Sequence, residues 1–424
     1  MIKNLCFFED SYYKKLLPLV YLRPIYDLRT GIFTIRERIL ALYPAAKVSL
    51  LCRDHLEDSV KTRDHAFEVN DLKGIKDSCL FVNAGLLLTE RIKDLKKDEM
   101  GIANGRVAYI YLTGSNLRLI NKNSFFDENL IKNLKSKIKT VETNLKTVTY
   151  PWDLVNNIGT CLNVDYKLLI GKGKKSKGKV DKRTIIYGEK SNVFIDEGAI
   201  VEGSVVIRAE EGPVYIGSNA RVCGHSVIDG PCFIGEKSII DDAKLRPNCA
   251  IGPVCRVGGE MEEAIMQGYS NKHHEGFFGH AYMGEWVNLG AITTNSDLKN
   301  NYGRIRIYID GDMMDCGTIK MGCFIGDLTK IGIGTLINTG TVVGVGCNIF
   351  GGGMIPSKYV PSFLWGSNAG VFAEYDYNKF VNDTRTIMGR RKKEISREEI
   401  KLIKNVYALT DHARKEFITI FSNR

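Results

Sequence analysis

The chain of 424 residues has only 10 prolines, no CxxC pair and no apolar run of membrane-spanning length. Scarce proline beside 42 glycines favours many tight corners over rigid proline-punctuated loops, a composition that points to a repeat. Eleven cysteines are scattered, seven of them between Cys223 and Cys347, and the opening "MIKNLCFFEDSYYKK" is interrupted by acids and lysines too early for a secretory signal. The expectation is a cytoplasmic protein, with no membrane partner, whose thiols serve as small buried hydrophobes.

The sequence also lacks a basic face. Its net charge of +10 is carried by residues 167–183, "KLLIGKGKKSKGKVDKR", and by "RRKK" at 390–393, which leaves the remainder near neutral. An extended phosphate-tracking surface is therefore excluded, and no nucleic-acid partner is expected. With 44% hydrophobic and 25% charged residues, the length predicts two domains with real cores.

What is present is a period of six. Ile325, Ile331, Ile337, Val343, Ile349 and Ile355 keep it without a slip. Ile195, Val201 and Ile207 share it earlier, and Ile216, Val222, Ile228, Ile234 and Ile240 resume it. A helix needs apolar recurrence near 3.6 and an ordinary strand near 2, so one inward aliphatic per six residues describes a prism of short parallel strands, three sides to a coil. Before it, "VSLLC" at 48, "CLFVNA" at 79 and "VAYIYL" at 107 alternate with helical patterns such as "TIRERILALY", where Thr34 and Glu37 form a capping box. That alternation predicts an open α/β sheet. Ser396 with Glu399 predicts a helix running to about Phe421, packed on a neighbouring copy. The expected division is residues 1–165 for the α/β domain, 166–190 for a solvated basic linker, 191–365 for the prism and 366–424 for a helical tail. "GKKSKGKV" in the linker matches a phosphate-cradling loop except at Val180, where a Ser/Thr is needed, and is read as an accident of composition.

Residues 191–365 resemble the hexapeptide-repeat transferases, which implies a left-handed parallel β-helix and a homotrimer. The hand comes from the resemblance, since crossover connections ordinarily turn the other way. The rhythm breaks between Val257 and Met283, where side chains are freed from filling the interior. In the break lies "KHHEGFFGHAYMGEWVNLGA", residues 272–291, with "TTNSDLKNNYG" after it and "AKLRPNCAIG" at 243–252 before it. These stretches resemble the acetyltransferase half of the bifunctional N-acetylglucosamine-1-phosphate uridyltransferase/glucosamine-1-phosphate N-acetyltransferase family. The resemblance implies His274 as general base, Asn288 and Asn295 as orienting residues, Arg246 as sugar-phosphate clamp and Lys299 as a looser match in the acetyl-donor region. An imidazole suits removal of a proton from a sugar ammonium before the amine attacks an acetyl thioester.

The chain departs from the family where a phosphate-gripping lysine becomes Glu262, a tyrosine becomes Phe277 in the substrate-binding set and an acid becomes His280. A shift of one residue would make His273 the base. His225, His274 and His280 supply three imidazoles for a zinc hydratase reading, but the spacing is wrong for the close pair such enzymes use, and no metal site is expected.

In the amino-terminal part, "LRPIYDLRTGIFTIRER" at 22–38 and "YPWDLVNN" at 150–157 resemble a divergent bacterial branch of the same family. Ordinary nucleotidyltransferases carry a glycine-rich loop after the first strand, where this chain has "FFEDSYY". Asn83 stands where a magnesium-binding aspartate is usual, while Arg23, Arg29 and Arg36 read either as phosphate clamps or as arginines around a loop. The basic run Arg390 to Lys393 reads as a solvated approach to a helix or as a contact for coenzyme A phosphates.

The fold expected is a nucleotidyltransferase-like (Rossmann-like) α/β domain, a left-handed β-helix and a carboxy-terminal helix. The function expected is acetyl-CoA-dependent N-acetylation of a hexosamine 1-phosphate, with uridylyl transfer and Mg2+ only if the first domain is active. A nucleotidyltransferase whose prism only trimerises is the alternative.

Overall fold

The computed structural model describes residues 2–93, 95–171, 173–367 and 371–422. Strands β1 (Asn4–Phe8), β2 (Lys47–Leu50), β3 (Glu68–Val69), β4 (Ser78–Asn83), β5 (Glu99–Ala103), β6 (Arg106–Thr113) and β7 (Lys139–Glu142) form one mixed sheet in the order β3-β2-β1-β4-β6-β5-β7. Helices α1 (Ile35–Leu42), α2 (Glu57–Arg63), α3 (Glu128–Lys137), α4 (Pro151–Asn156) and α5 (Ile158–Ile170) accompany it. The capping box opens α1 as expected: Glu37 N donates to Thr34 Oγ1, and Thr34 N donates to Glu37 Oε2 at 2.7 Å. Ile35, Ile39 and Leu42 are buried on its inner side.

The prism follows as three ladders of parallel strands. Its inward positions are the period-six aliphatics: Ile195, Ile216, Ile234, Ile251, Met266, Met283, Ile325, Val343 and Val360 fill one column. No coil buries its face alone, so the stack is the stable unit. The architecture is the left-handed parallel β-helix of hexapeptide repeats. It begins earlier than the sequence division placed it. Lys179–Val180 and Ile185–Tyr187 already pair in parallel with Ile200–Val201 and Val206–Arg208, so the second half of the stretch expected as linker forms the first coil. Alternation at 185–187 is enough to make a strand despite the surrounding lysines, because Ile186 points inward while its neighbours face water.

Each prism side has an outward column as well, and these decide how the molecule is assembled. On face two, the nine-stranded ladder, the outward residues are Phe194, Tyr215, Phe233, Ala250, Ile265, Tyr282, Phe324 and Val342, and they share one hydrophobic core with Leu5, Phe7, Tyr26 and Ile35 of the α/β domain. The amino-terminal domain thus lies along a side of the prism. Polar groups pin the contact: Gln267 accepts from Arg29 N at 3.0 Å and donates to Asp27 O at 2.8 Å, and Tyr282 Oη is 3.1 Å from Arg29 N. A hairpin of Arg306–Ile309 and Asp312–Asp315, inserted within one coil, adds Ile305, Ile307 and Ile309 to the same core.

After the last coil, Val371–Glu374 runs antiparallel to Leu364–Ser367, and three helices follow: α6 (Tyr377–Gly389), α7 (Arg397–Leu409) and α8 (Asp411–Ser422). The Ser396 and Glu399 capping box opens α7. The single helix expected to Phe421 is broken at Thr410, and both parts contact their own chain. Phe417 of α8 meets Phe372 edge to face at 5.3 Å and joins the prism's inner core, covering the end of the stack. Lys401 of α7 reaches Asp58 of α2 at 2.7 Å.

Candidate functional site

Face one of the prism carries the outward column Arg256, Asn271, Asn288, Lys330 and Asn348. Between this column and the end of α6 lies a groove of about 950 Å³, and His273, His274, Trp286, Arg390 and Arg391 complete its walls. His274 and Asn288 therefore line the same groove.

The corner carrying the two histidines joins face one to face three, the side on which Glu260–Glu262 pairs with Phe277–Gly279. Glycines let successive coils close there: a Cβ on Gly258 would lie 2.0 Å from His273 O, and Gly259 has φ +69°. Lys272, one residue before the corner, pairs with Val257 at an inward position where an aliphatic belongs. It is 1% exposed, and its ammonium donates to Gly258 O at 3.1 Å and to His274 O. Burial lowers it to about 8, with Glu275 opposing. A charge inside the prism is costly, and here it fixes the backbone that presents His274.

His274 is exposed, and its ring has no hydrogen bond among the described residues. His273 stands against it edge to face at 5.1 Å, with its Nε2 3.6 Å from Asp241 and its buried Nδ1 without a hydrogen-bond partner among the described residues. Arg391 donates to Asn271 Oδ1 at 2.9 Å, and Asn271 donates to Asn288 Oδ1 at 3.2 Å. That chain orients the Asn288 amide and leaves its nitrogen unpartnered among the described residues. At the far end, burial beside α6 lowers Lys330 to about 7, partly offset by Asp383.

Other expected residues lie elsewhere. Asn295 does not orient a substrate: it sits at an inward position opposite Ile337, accepts from Gly279 N and donates to Gly279 O, both at 2.9 Å, so both ends of its amide are spent completing the ladder. Phe277 and Arg246 face outward on face three. Arg246 is held by Glu260 at 3.0 Å and Asp229 at 3.6 Å, so a phosphate there has two carboxylates to displace. Glu262 shares that face. Lys299 donates to Arg304 O in the inserted loop, away from the groove. The three imidazoles of the zinc reading do not gather, and no cluster of three metal-ligating side chains occurs among the described residues. His280 lies between Asp297 (Nδ1, 2.8 Å) and Glu263 (Nε2, 3.3 Å).

Burial opposes charge on His280, but the two carboxylates outweigh it and raise the ring to about 9. Folded His280 thus holds its proton above the ordinary range near 6.5, so its stabilisation is complete below pH 6.5 and is lost as pH rises to 9. Urea midpoints are expected to fall by up to about 3 kcal/mol of stability over that window. In His280→Gln the fall should flatten; an unchanged slope assigns the loss to other groups.

Of the arginines read as phosphate clamps, Arg23 and Arg29 are buried and Arg36 is half-buried, and each is already engaged within the chain. Arg23 is 2.6 Å from Asp327 and 3.4 Å from Glu285. Arg36 lies 3.0 Å from both Asp27 and Asp64. Arg29 donates to Ile32 O and lies over the Phe233 ring. Arg23 serves the domain contact, because a chain that glues a domain to a prism face must neutralise the charges it buries, while Arg36 is held within the first domain. Asn83 is fully buried and donates to Asp10 and to Val107 O. Magnesium does not fit this end of the sheet: Arg106 takes both Asp10 oxygens at 2.7 Å, and Arg53 takes Glu9.

Residues 5–174 match the model of the sugar nucleotidyl transferase family. The bifunctional protein GlmU of Wigglesworthia glossinidia brevipalpis is 29% identical over 180 residues, which cover 39% of this chain and 35% of that relative. The matched region therefore spans about a third of the relative's length. Among solved structures, an Arabidopsis UDP-N-acetylglucosamine acyltransferase is similar over 51% of this chain and 78% of its own, at 11% identity and TM-score 0.19. A hexapeptide transferase family protein from Anaplasma phagocytophilum is similar over 58% and 93%, at 13% identity and TM-score 0.14. Overlaps of that size leave the prism resting on its own strand pairing. A sugar nucleotidyl transferase family model thus matches the first domain, and part of the chain is similar to the bifunctional protein GlmU.

Proposed function

We propose that this protein transfers the acetyl group of acetyl-CoA to the amine of a hexosamine 1-phosphate, glucosamine 1-phosphate being the first candidate, in the cytoplasm and as a homotrimer. The observation that carries this is the presence of the His274 ring, without a hydrogen bond among the described residues, and the oriented Asn288 amide in one groove lined by four arginines and Lys330. The thioester is already activated, so the chain has three tasks: align the amine, take its proton and stabilise the developing oxyanion. His274 takes the proton, and the Asn288 nitrogen is the available donor. Face two is covered by the chain's own first domain, so the trimer forms through face three and its corners, where Ile292 is 65% and Ile333 71% exposed.

Uridylyl transfer is not part of this reading, since Glu9 and Asp10, the carboxylates that follow β1, are already paired with arginines, and β4 ends on the amide of Asn83. The test is thiol release from acetyl-CoA across amino sugars and their 1-phosphates. Release with an amino-sugar 1-phosphate and none with its N-acetylated form supports the proposal. UTP consumption with N-acetylglucosamine 1-phosphate and no thiol release replaces it with the nucleotidyltransferase reading.

A further inference from the structure

The end of the groove under α6 holds a group that the acyl-transfer steps do not use. Lys330 pairs with Asn288 and Asn348 on the neighbouring strands of face one, so its side chain leaves the prism toward α6. It stands between two spaces, the groove and a pocket of about 220 Å³ walled by Tyr375, Phe380, Asp383 and Ile387. Half-buried there, its amine donates to Leu328 O and has no carboxylate within ion-pair distance among the described residues. The other polar groups of the pocket are occupied. Tyr375 Oη donates to Asp383 Oδ2, and the hydroxyls of Thr384 and Thr386 donate to Phe380 O and Asn382 O of their own helix at 2.8 and 3.1 Å.

An ammonium in such a place loses its hydration and regains one hydrogen bond. Burial therefore favours the neutral amine and outweighs the more distant Asp383, which is why Lys330 falls to about 7. A neutral lysine amine in a partly dry pocket is a nucleophile toward an activated carbonyl. The amide that results fits the site better than the ammonium does. Its N–H keeps the bond to Leu328 O, it has no charge to bury, and its methyl group meets the apolar side chains of Phe380 and Ile387. The pocket is several times the volume of an acetyl group.

We propose that Lys330 is a modification site: when no acceptor amine occupies the groove, its Nζ takes the acetyl group of an activated donor and holds it in the pocket under α6. The nitrogen forms a bond to the acyl carbon, and the bond from that carbon to the donor's sulfur or phosphate oxygen breaks. The proton lost from nitrogen goes to the leaving thiolate or phosphate. That the donor is a thioester rests on the acyl-transfer reading, whereas the reactivity of the amine rests on the pocket.

The test is incubation of the full chain at neutral pH with acetyl-CoA or with acetyl phosphate, without sugar, followed by mass-spectrometric mapping of acetylated peptides. Lys330 should be labelled about tenfold or more faster than exposed lysines such as Lys132 and Lys135, because an ordinary lysine amine is almost wholly protonated at that pH. With acetyl-CoA, thiol release should stop at about one equivalent per chain. Asp383→Asn keeps an acceptor for Tyr375 and removes the charge that favours the ammonium, so labelling should rise by about twofold or more. Lys330→Arg should abolish the fast label and the thiol burst while the slow labels stay. Fast labelling by acetyl phosphate alone keeps the site and counts against the acyl-transfer reading. Labelling of Lys330 no faster than that of Lys132 and Lys135 with either donor, or a fast label that survives Lys330→Arg, overturns the proposal, and sugar acetylation in that same protein leaves the acyl-transfer reading standing.

Discussion

Replacing His274 by alanine is expected to lower acetyl transfer by about two to four orders of magnitude, the usual contribution of a positioned general base. The protein itself should be unaffected. The ring is exposed and makes no hydrogen bond among the described residues, so the midpoint of thermal unfolding is expected to shift by less than about 0.5 kcal/mol of stability. The neighbouring imidazole is the control. His273 is drawn toward Asp241 and has a buried Nδ1, so His273→Ala is expected to disturb the corner and lower activity less. If His274→Ala retains wild-type turnover while His273→Ala loses it, the base is His273, oriented by Asp241. If both retain it, no imidazole at this corner takes the proton.

Asp327→Ala is expected to destabilise the protein by about 3–5 kcal/mol, read as a lowered denaturant midpoint. Asp327 is 2% exposed and accepts from Arg23 and from Glu285 N, both at 2.6 Å. Its removal leaves the guanidinium of Arg23, itself 5% exposed, with only Glu285 at 3.4 Å. The cost is that of an uncompensated buried charge, and so Arg23→Met combined with Asp327→Ala should recover much of it. A single-variant loss under about 1 kcal/mol would mean that the aromatic column of face two holds the domains together without this pair.

The period of six was enough to place the prism, since an inward aliphatic at every sixth position has no helical or simple strand equivalent. It also exposes its own exceptions. Lys272 and Asn295 occupy inward positions within the irregular segment, and a polar residue at a core position is the signal that marks them as structural. Reading Asn295 from its motif alone assigned it to a substrate, and only the hydrogen bonds to Gly279 show that its amide is spent. The lysine-rich stretch hid the first coil because charge dominates its composition, while two short strands need only Val180 and Ile186 to point inward. Arg23 and Arg29 were open to two readings in the sequence, and neither foresaw burial, because their partners Asp327, Gln267 and Tyr282 lie more than 200 positions away. Arg256, Asn271 and Lys330 escaped notice for a related reason: a groove built on the outside of a stack gathers residues from different coils, and no local motif records them.

The row of rings on face two bears on how such a chain arises. A prism whose outer side is as oily as its inner one is not a module that can be traded freely between proteins, because any replacement for its first domain must bring a matching flank. The two halves are bound to change together, and an exchange of one half alone would leave Phe233, Tyr282 and Phe324 facing water.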